Sequence, residues 1–141
     1  MLGAIMTHYS ILIIDDEANQ RLMFEQALRS VDADWMIATA ANGSEALEMA
    51  AAQPPDLIIT DYNMPGMNGL DVIAQVRDQG LLSRIILMTA YSSAEISEAA
   101  ERLHVDHYLT KPVPVAQLRR LAADALHMPS SDEDSPANPR A

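Results

Sequence analysis

The chain contains no cysteine, which excludes disulfides, thiolate metal ligands and thiol catalysis and removes redox chemistry from consideration. That absence suits a reducing compartment, and the expected location is the cytoplasm. Positive charge is scarce. Nine Lys and Arg face twenty Asp and Glu, a formal net charge of −11, so the mean surface potential repels phosphate backbones and anionic lipid headgroups. No direct nucleic-acid partner and no membrane partner are expected. Aromatic residues make up only 4% of the chain, so Ile, Leu, Val, Met and Ala must fill the interior. No apolar run approaches the roughly 18 residues of a membrane span. The apolar opening Met1 to Met6 lacks the basic region and the length of a secretory signal, and Met6 offers an alternative start.

What is there suits one domain, since 141 residues match the roughly 100–150 residues of a typical single core. Short aliphatic runs alternate with segments of helical period, the pattern of strand and helix units on a parallel sheet. Strands are predicted over Tyr9 to Ile14, Trp35 to Ala40, Leu57 to Thr60, Arg84 to Thr89 and His107 to Thr110. Runs such as Ile11-Leu12-Ile13-Ile14 and Ile85-Ile86-Leu87-Met88 are apolar on both faces, as strands covered by helices on both sides require. Phe24, Ala27, Leu28 and Val31 recur at helical spacing, as do Ile96, Ala99, Ala100 and Leu103, and Leu118, Leu121, Ala122 and Ala125. Gly43 opens a helix that Pro54-Pro55 terminates, and Gly69 opens one that ends near Gly80. The expected organisation is an N-terminal extension over residues 1–8, a folded domain over 9–128 and a disordered acidic, Pro- and Ser-rich tail over 129–141.

In an open parallel sheet, ligands bind beyond the carboxyl ends of the strands. Asp15 and Asp16 follow the first strand, Asp61 the third, Thr89 closes the fourth, and Lys111 with Pro112 follows the fifth. Each has an ordinary reading when taken alone. Asp15 or Asp16 suits a helix cap, Asp61 opens the turn-rich Asp-Tyr-Asn-Met-Pro-Gly, Thr89 is a common strand residue, and Lys111 a solvated loop lysine. The joint placement of all five on one rim of the sheet favours a site. Three clustered carboxylates repel one another and need a cation, and an all-oxygen set suits a small hard ion such as Mg²⁺. Such an ion beside an ammonium and a hydroxyl can hold a phosphoryl group, and Asp is a known covalent phosphoryl acceptor. Catalysis would then be positioning and charge neutralisation, with no strong general base.

The segments Ile14-Asp15-Asp16-Glu17, Asp61-Tyr62-Asn63-Met64-Pro65-Gly66-Met67-Asn68-Gly69, Met88-Thr89-Ala90 and Leu109-Thr110-Lys111-Pro112 together resemble the receiver domain of two-component response regulators, of the chemotaxis-regulator kind. The resemblance covers Tyr9 to Met128. It implies an α/β fold: a single doubly wound, flavodoxin-like parallel sheet of five strands in the order 2-1-3-4-5 flanked by five helices. It implies Asp61 as phosphoacceptor, and Asp15, Asp16, Asp61 and the Asn63 main-chain carbonyl around Mg²⁺, with Asp15 acting mainly through ordered water. Lys111 would pair with the acceptor and then with the phosphoryl oxygens. Thr89 and Tyr108 would form the switch pair, and Pro112 would follow a cis peptide bond. The donor would be a histidine kinase or histidine phosphotransfer protein. The surface of the fourth helix, fifth strand and fifth helix would address a downstream protein target, and a phosphorylation-dependent homodimer belongs to the same expectation.

Three settings are compatible with the chain: a single-domain regulator, which is the preferred one, a phosphorelay shuttle, or a receiver cut from a larger regulator with an output domain. On any of them the protein is a switch that assists its own phosphorylation and autodephosphorylation rather than an enzyme. A haloacid-dehalogenase-like hydrolase would place a second Asp two residues after the first-strand acid, where this chain has Glu17 after Asp15. A purely structural module would have no need of Asp61.

Overall fold

A computed structural model of the protein describes residues 8–127; the expected extension, His8 apart, and the expected tail lie outside the described residues. The chain alternates strand and helix throughout. The order is β1 (Ser10–Ile14), α1 (Ala18–Arg29), β2 (Met36–Ala40), α2 (Gly43–Ala52), β3 (Leu57–Asp61), α3 (Gly69–Asp78), β4 (Arg84–Thr89), α4 (Ala94–Arg102), β5 (His107–Thr110) and α5 (Val115–His127). All pairings are parallel and the sheet runs β2-β1-β3-β4-β5. This is the expected doubly wound sheet.

The period-2 geometry of a strand divides each apolar run between two cores. Ile11, Ile13, Leu57, Ile59, Ile86 and Met88 face α1 and α5, where Phe24, Leu28 and Leu118 meet them together with Trp35 from the connection before β2. Leu12, Ile14, Ile58, Ile85 and Leu87 face the other side, against Ala46, Val72, Ile73, Val76 and Ala100. The central strands are buried on both faces, while the edge strands β2 and β5 are only partly covered.

Helix starts follow side-chain chemistry. Asn42 accepts from the Glu45 N–H at 2.8 Å, Asn68 and Asp71 form a reciprocal capping box, and Ser93 accepts from the Ile96 N–H at 3.1 Å. Five boundaries differ from the expected ones. Tyr9 and Trp35 fall just outside their strands, although the Tyr9 carbonyl already accepts from the Met36 N–H at 2.8 Å. Val31 and Leu103 lie beyond the ends of α1 and α4, in turns that keep them packed on their cores. Asp61 is the last residue of β3, not the first beyond it, because it pairs in register with Met88. Among the described residues, no helix is long and apolar enough to cross a membrane.

Candidate acidic site at the carboxyl rim

Parallel strands deliver their carboxyl ends to one rim, so the residues leaving β1, β3, β4 and β5 become neighbours there. Asp15, Asp16 and Asp61 each offer one carboxylate oxygen to a cluster in which these atoms lie within 4.8 Å of one another. Asp15 and Asp61 are buried, whereas Asp16 is exposed. Lys111, the only lysine in the sequence, reaches in from the end of β5, its Nζ 3.3 Å from Asp61 Oδ2 and 3.8 Å from Asp15 Oδ2. The Lys111-Pro112 peptide is cis.

One ammonium is too little for this group. Asp61 Oδ1 and Asp15 Oδ2 are buried and make no hydrogen bond, a costly condition for carboxylate oxygens. Burial raises the pKa of both carboxyls above the ordinary value. At Asp15 a hydrogen bond from the Glu17 main chain opposes this, while the charge of Asp61 adds to it. At Asp61 the main opposing influence is Lys111. The oxygens left unbonded are the hard donors that a small divalent cation takes, so the residues present fit Mg²⁺.

The cap reading of Asp15 is half satisfied. Asp15 Oδ1 accepts from the Glu17 N–H at 2.9 Å, yet the N-cap of α1 is Glu17, and the second Asp15 oxygen turns to the cluster. Thr89 is buried, and its hydroxyl accepts from the Tyr91 N–H at 3.2 Å and lies 3.2 Å from the Tyr91 carbonyl. Its other neighbour is the Asn63 side-chain oxygen at 3.4 Å, so Asn63 meets the site through its side chain as well as through the main-chain carbonyl expected to face the ion. Tyr108 is half-buried, and its hydroxyl accepts from the Ser93 N–H at 3.4 Å, at the start of α4. Thr89 and Tyr108 thus touch the same short segment from opposite ends.

Gly69 was legible only as a helix opener. A Cβ there would collide with the Asp61 carbonyl oxygen and lie 3.0 Å from Tyr62 Cα and Leu87 Cδ1. The start of α3 is pressed against the end of β3, directly behind the acceptor candidate. No local signal separates this glycine from an ordinary helix start.

A 2-1-3-4-5 sheet with acids and a lysine at its carboxyl rim defines the receiver class of signalling domain. The response regulator receiver domain family matches residues 11–123, and the chain belongs to that family. Its members are phosphoacceptor switches rather than classical enzymes, and they work with histidine kinases or phosphotransfer proteins. The response regulator protein PilR of Pseudomonas aeruginosa is 32% identical over 136 residues, covering 96% of this chain and 30% of PilR. The nitrate/nitrite response regulator protein NarL of Escherichia coli K12 is 32% identical over 124 residues, covering 88% of this chain and 56% of NarL. The chain therefore spans between 30% and 56% of the length of these two relatives. Among solved structures, the Vibrio cholerae chemotaxis protein CheY4 is 30% identical with a TM-score of 0.76, covering 84% of this chain and 99% of that one. A LuxR-family DNA-binding response regulator from Staphylococcus aureus is 28% identical with a TM-score of 0.76, covering 83% and 98%.

Proposed function

We propose that this receiver takes a phosphoryl group from a phosphohistidine donor onto Asp61. The observation that carries the reading is the division of labour within one buried carboxylate: Oδ2 is held by Lys111, while Oδ1 is unbonded at the rim. Oδ1 attacks phosphorus, the P–O bond forms as the P–N bond to imidazole breaks, and the leaving imidazole keeps the electron pair and takes up a proton. Asp15, Asp16, Asp61 and the Asn63 main-chain carbonyl would hold Mg²⁺, which when bound neutralises charge on the phosphoryl oxygens. Lys111 sits close enough to pass from Asp61 Oδ2 to a phosphoryl oxygen on the same carboxylate.

Thr89 bonds the new phosphoryl group only by releasing the Tyr91 main chain, and Tyr108 is then free to turn inward from Ser93. The phosphoryl group shifts an existing equilibrium by bonding better to one of its states. The α4, β5 and α5 face then addresses a downstream protein, and pairing of two such faces would give a phosphorylation-dependent homodimer.

The test is incubation with Mg²⁺ and acetyl phosphate followed by intact mass. A single phosphoryl adduct is expected in wild type and absent in Asp61→Asn. An adduct that persists in Asp61→Asn, or rapid turnover of many unrelated phosphoesters, would overturn the reading.

A further inference from the structure

Arg77, in the last turn of α3, is half-buried and donates to four main-chain carbonyls. Its Nε bonds Leu103 O at 2.9 Å, one terminal nitrogen bonds Leu81 O at 3.0 Å and Ser83 O at 2.9 Å, and the other bonds His104 O at 3.0 Å. Two of these carbonyls belong to the connection from α3 to β4. The other two belong to Leu103, the C-cap of α4, and to His104 just past it, beside the negative end of the helix dipole. A planar guanidinium can serve both groups at once because its donors diverge in a fixed fork.

The same end of α4 is fastened a second time. His104 adopts a left-handed turn with φ 59°, Val105 N–H returns to Ala100 O at 3.0 Å, and Asp106 N–H bonds Ile85 O at 2.9 Å. The Asp106 carboxylate accepts from the Ile85 N–H at 2.8 Å and lies 3.8 Å from Arg84. The other end differs. Residues 90–95 are all exposed, and Ala100, near the C-terminal end, is the one fully buried residue of α4. The leading end is tied through the 3.4 Å bond from Ser93 N–H to Tyr108 and through the bonds between Thr89 and Tyr91.

We infer that Arg77 is a positioning residue that makes the C-terminal end of α4 a fixed pivot, so that this helix rearranges by swinging its leading end, residues 90–96, rather than by sliding along the sheet. A nine-residue helix is about 13 Å long, and a rotation of about 10° about one end moves the other by ~2 Å. That displacement exceeds what the long bonds at Ser93 and Thr89 tolerate, so a small change at those residues selects between two positions of the arm. The trigger rests on the proposed role of Asp61, Thr89 and Tyr108; the pivot does not.

Amide hydrogen exchange on the full chain tests both parts. An unclamped helix frays at both ends, so in the unphosphorylated wild type the pivot predicts that amides 100–105 exchange more slowly than amides 97–99. Arg77→Met removes all four bonds. Arg77→Lys keeps the charge but replaces the fork with one ammonium, and it carries the comparison if the methionine variant does not fold. In either variant, amides 100–106 are expected to exchange at least about tenfold faster, the factor for one lost charge-assisted bond, while β1 and β3 amides keep their rates. With Mg²⁺ and acetyl phosphate, the wild-type change is confined to residues 90–97, and in Arg77→Lys it spreads through 98–106. Unchanged exchange of 100–106 in the variants, or a uniform rise that includes β1 and β3, overturns the pivot. Absence of a phosphoryl adduct by intact mass would instead overturn the function proposed above, and the unphosphorylated comparison still decides the role of Arg77.

Discussion

Gly69→Ala is expected to destabilise the domain by about 2 kcal/mol and to slow phosphorylation of Asp61 out of proportion to that loss. Gly69 has no positive φ, so the requirement is space, not conformational freedom. Relaxed carbon contacts lie at about 3.5–4.0 Å, whereas the new methyl would stand 3.0 Å from Tyr62 Cα and Leu87 Cδ1 and closer still to the Asp61 carbonyl. Leu87 can turn aside; two main-chain atoms cannot. Relief therefore needs a shift of the end of β3 or the start of α3 by up to about 1 Å. Overpacking of this kind costs roughly 1–3 kcal/mol, and the better helix propensity of Ala recovers less than about 1 kcal/mol at the first helical position. At about 4 °C per kcal/mol for a domain of this size, the melting temperature falls by about 8 °C. The same shift moves Asp61, and misplacement by about 1 Å can cost on the order of 100-fold in rate.

Circular dichroism melts and the rate of adduct formation from acetyl phosphate measure the two effects. Gly43→Ala is the control. Its methyl would press at 2.8 Å on Met67 Sδ and Val72 Cγ2, side-chain atoms rather than the main chain of β3, so a smaller loss than in Gly69→Ala and an unchanged phosphorylation rate are expected. A Gly69→Ala protein that melts with wild type, or a Gly43→Ala protein that loses as much, would refute the reasoning.

Other outcomes follow from the site. Mg²⁺ at about ten times its dissociation constant stabilises wild type by about 1.4 kcal/mol over the chelated protein, measured by urea unfolding, and this increment is absent in Asp61→Asn. Without the ion, Asp61→Asn is itself more stable than wild type. Because burial raises the folded pKa of Asp61, its ionised form opposes folding above that pKa, so the stability gap is present at neutral pH and shrinks as pH falls through the folded value; a gap that widens would contradict this. Tyr91 is exposed and its main chain bonds the Thr89 hydroxyl, and Tyr91→Ala is expected to lose phosphate faster than wild type in a time course of intact mass. Asn68→Ala removes the cap of α3 and lowers unfolding stability by about 1 kcal/mol.

Much of the architecture was written locally. Apolar runs such as Ile85-Ile86-Leu87-Met88 supply side chains to both faces at once, so a central strand follows from period alone, and Asn, Ser, Gly and Pro mark helix limits within a few residues. The candidate site was legible for the same reason: a polar residue directly after an apolar strand has a known place at the rim of a parallel sheet. Strand order came from the resemblance, since periodicity carries no information about neighbours.

Tertiary packing decided the rest. Arg77 has no acidic residue three or four positions away on α3, which leaves nothing in the sequence to show that it joins the connection after α3 to the one after α4. Gly69 reads as any helix start until Asp61 and Leu87 are placed against it. Asp15 and Asp16 look alike in the chain, yet one is buried against Lys111 and the other faces solvent. Preferences for strand, helix or turn are local, because they act over a few neighbours along the chain. Only the folded sheet decided which charges are desolvated together, because that depends on strands brought side by side from positions tens of residues apart.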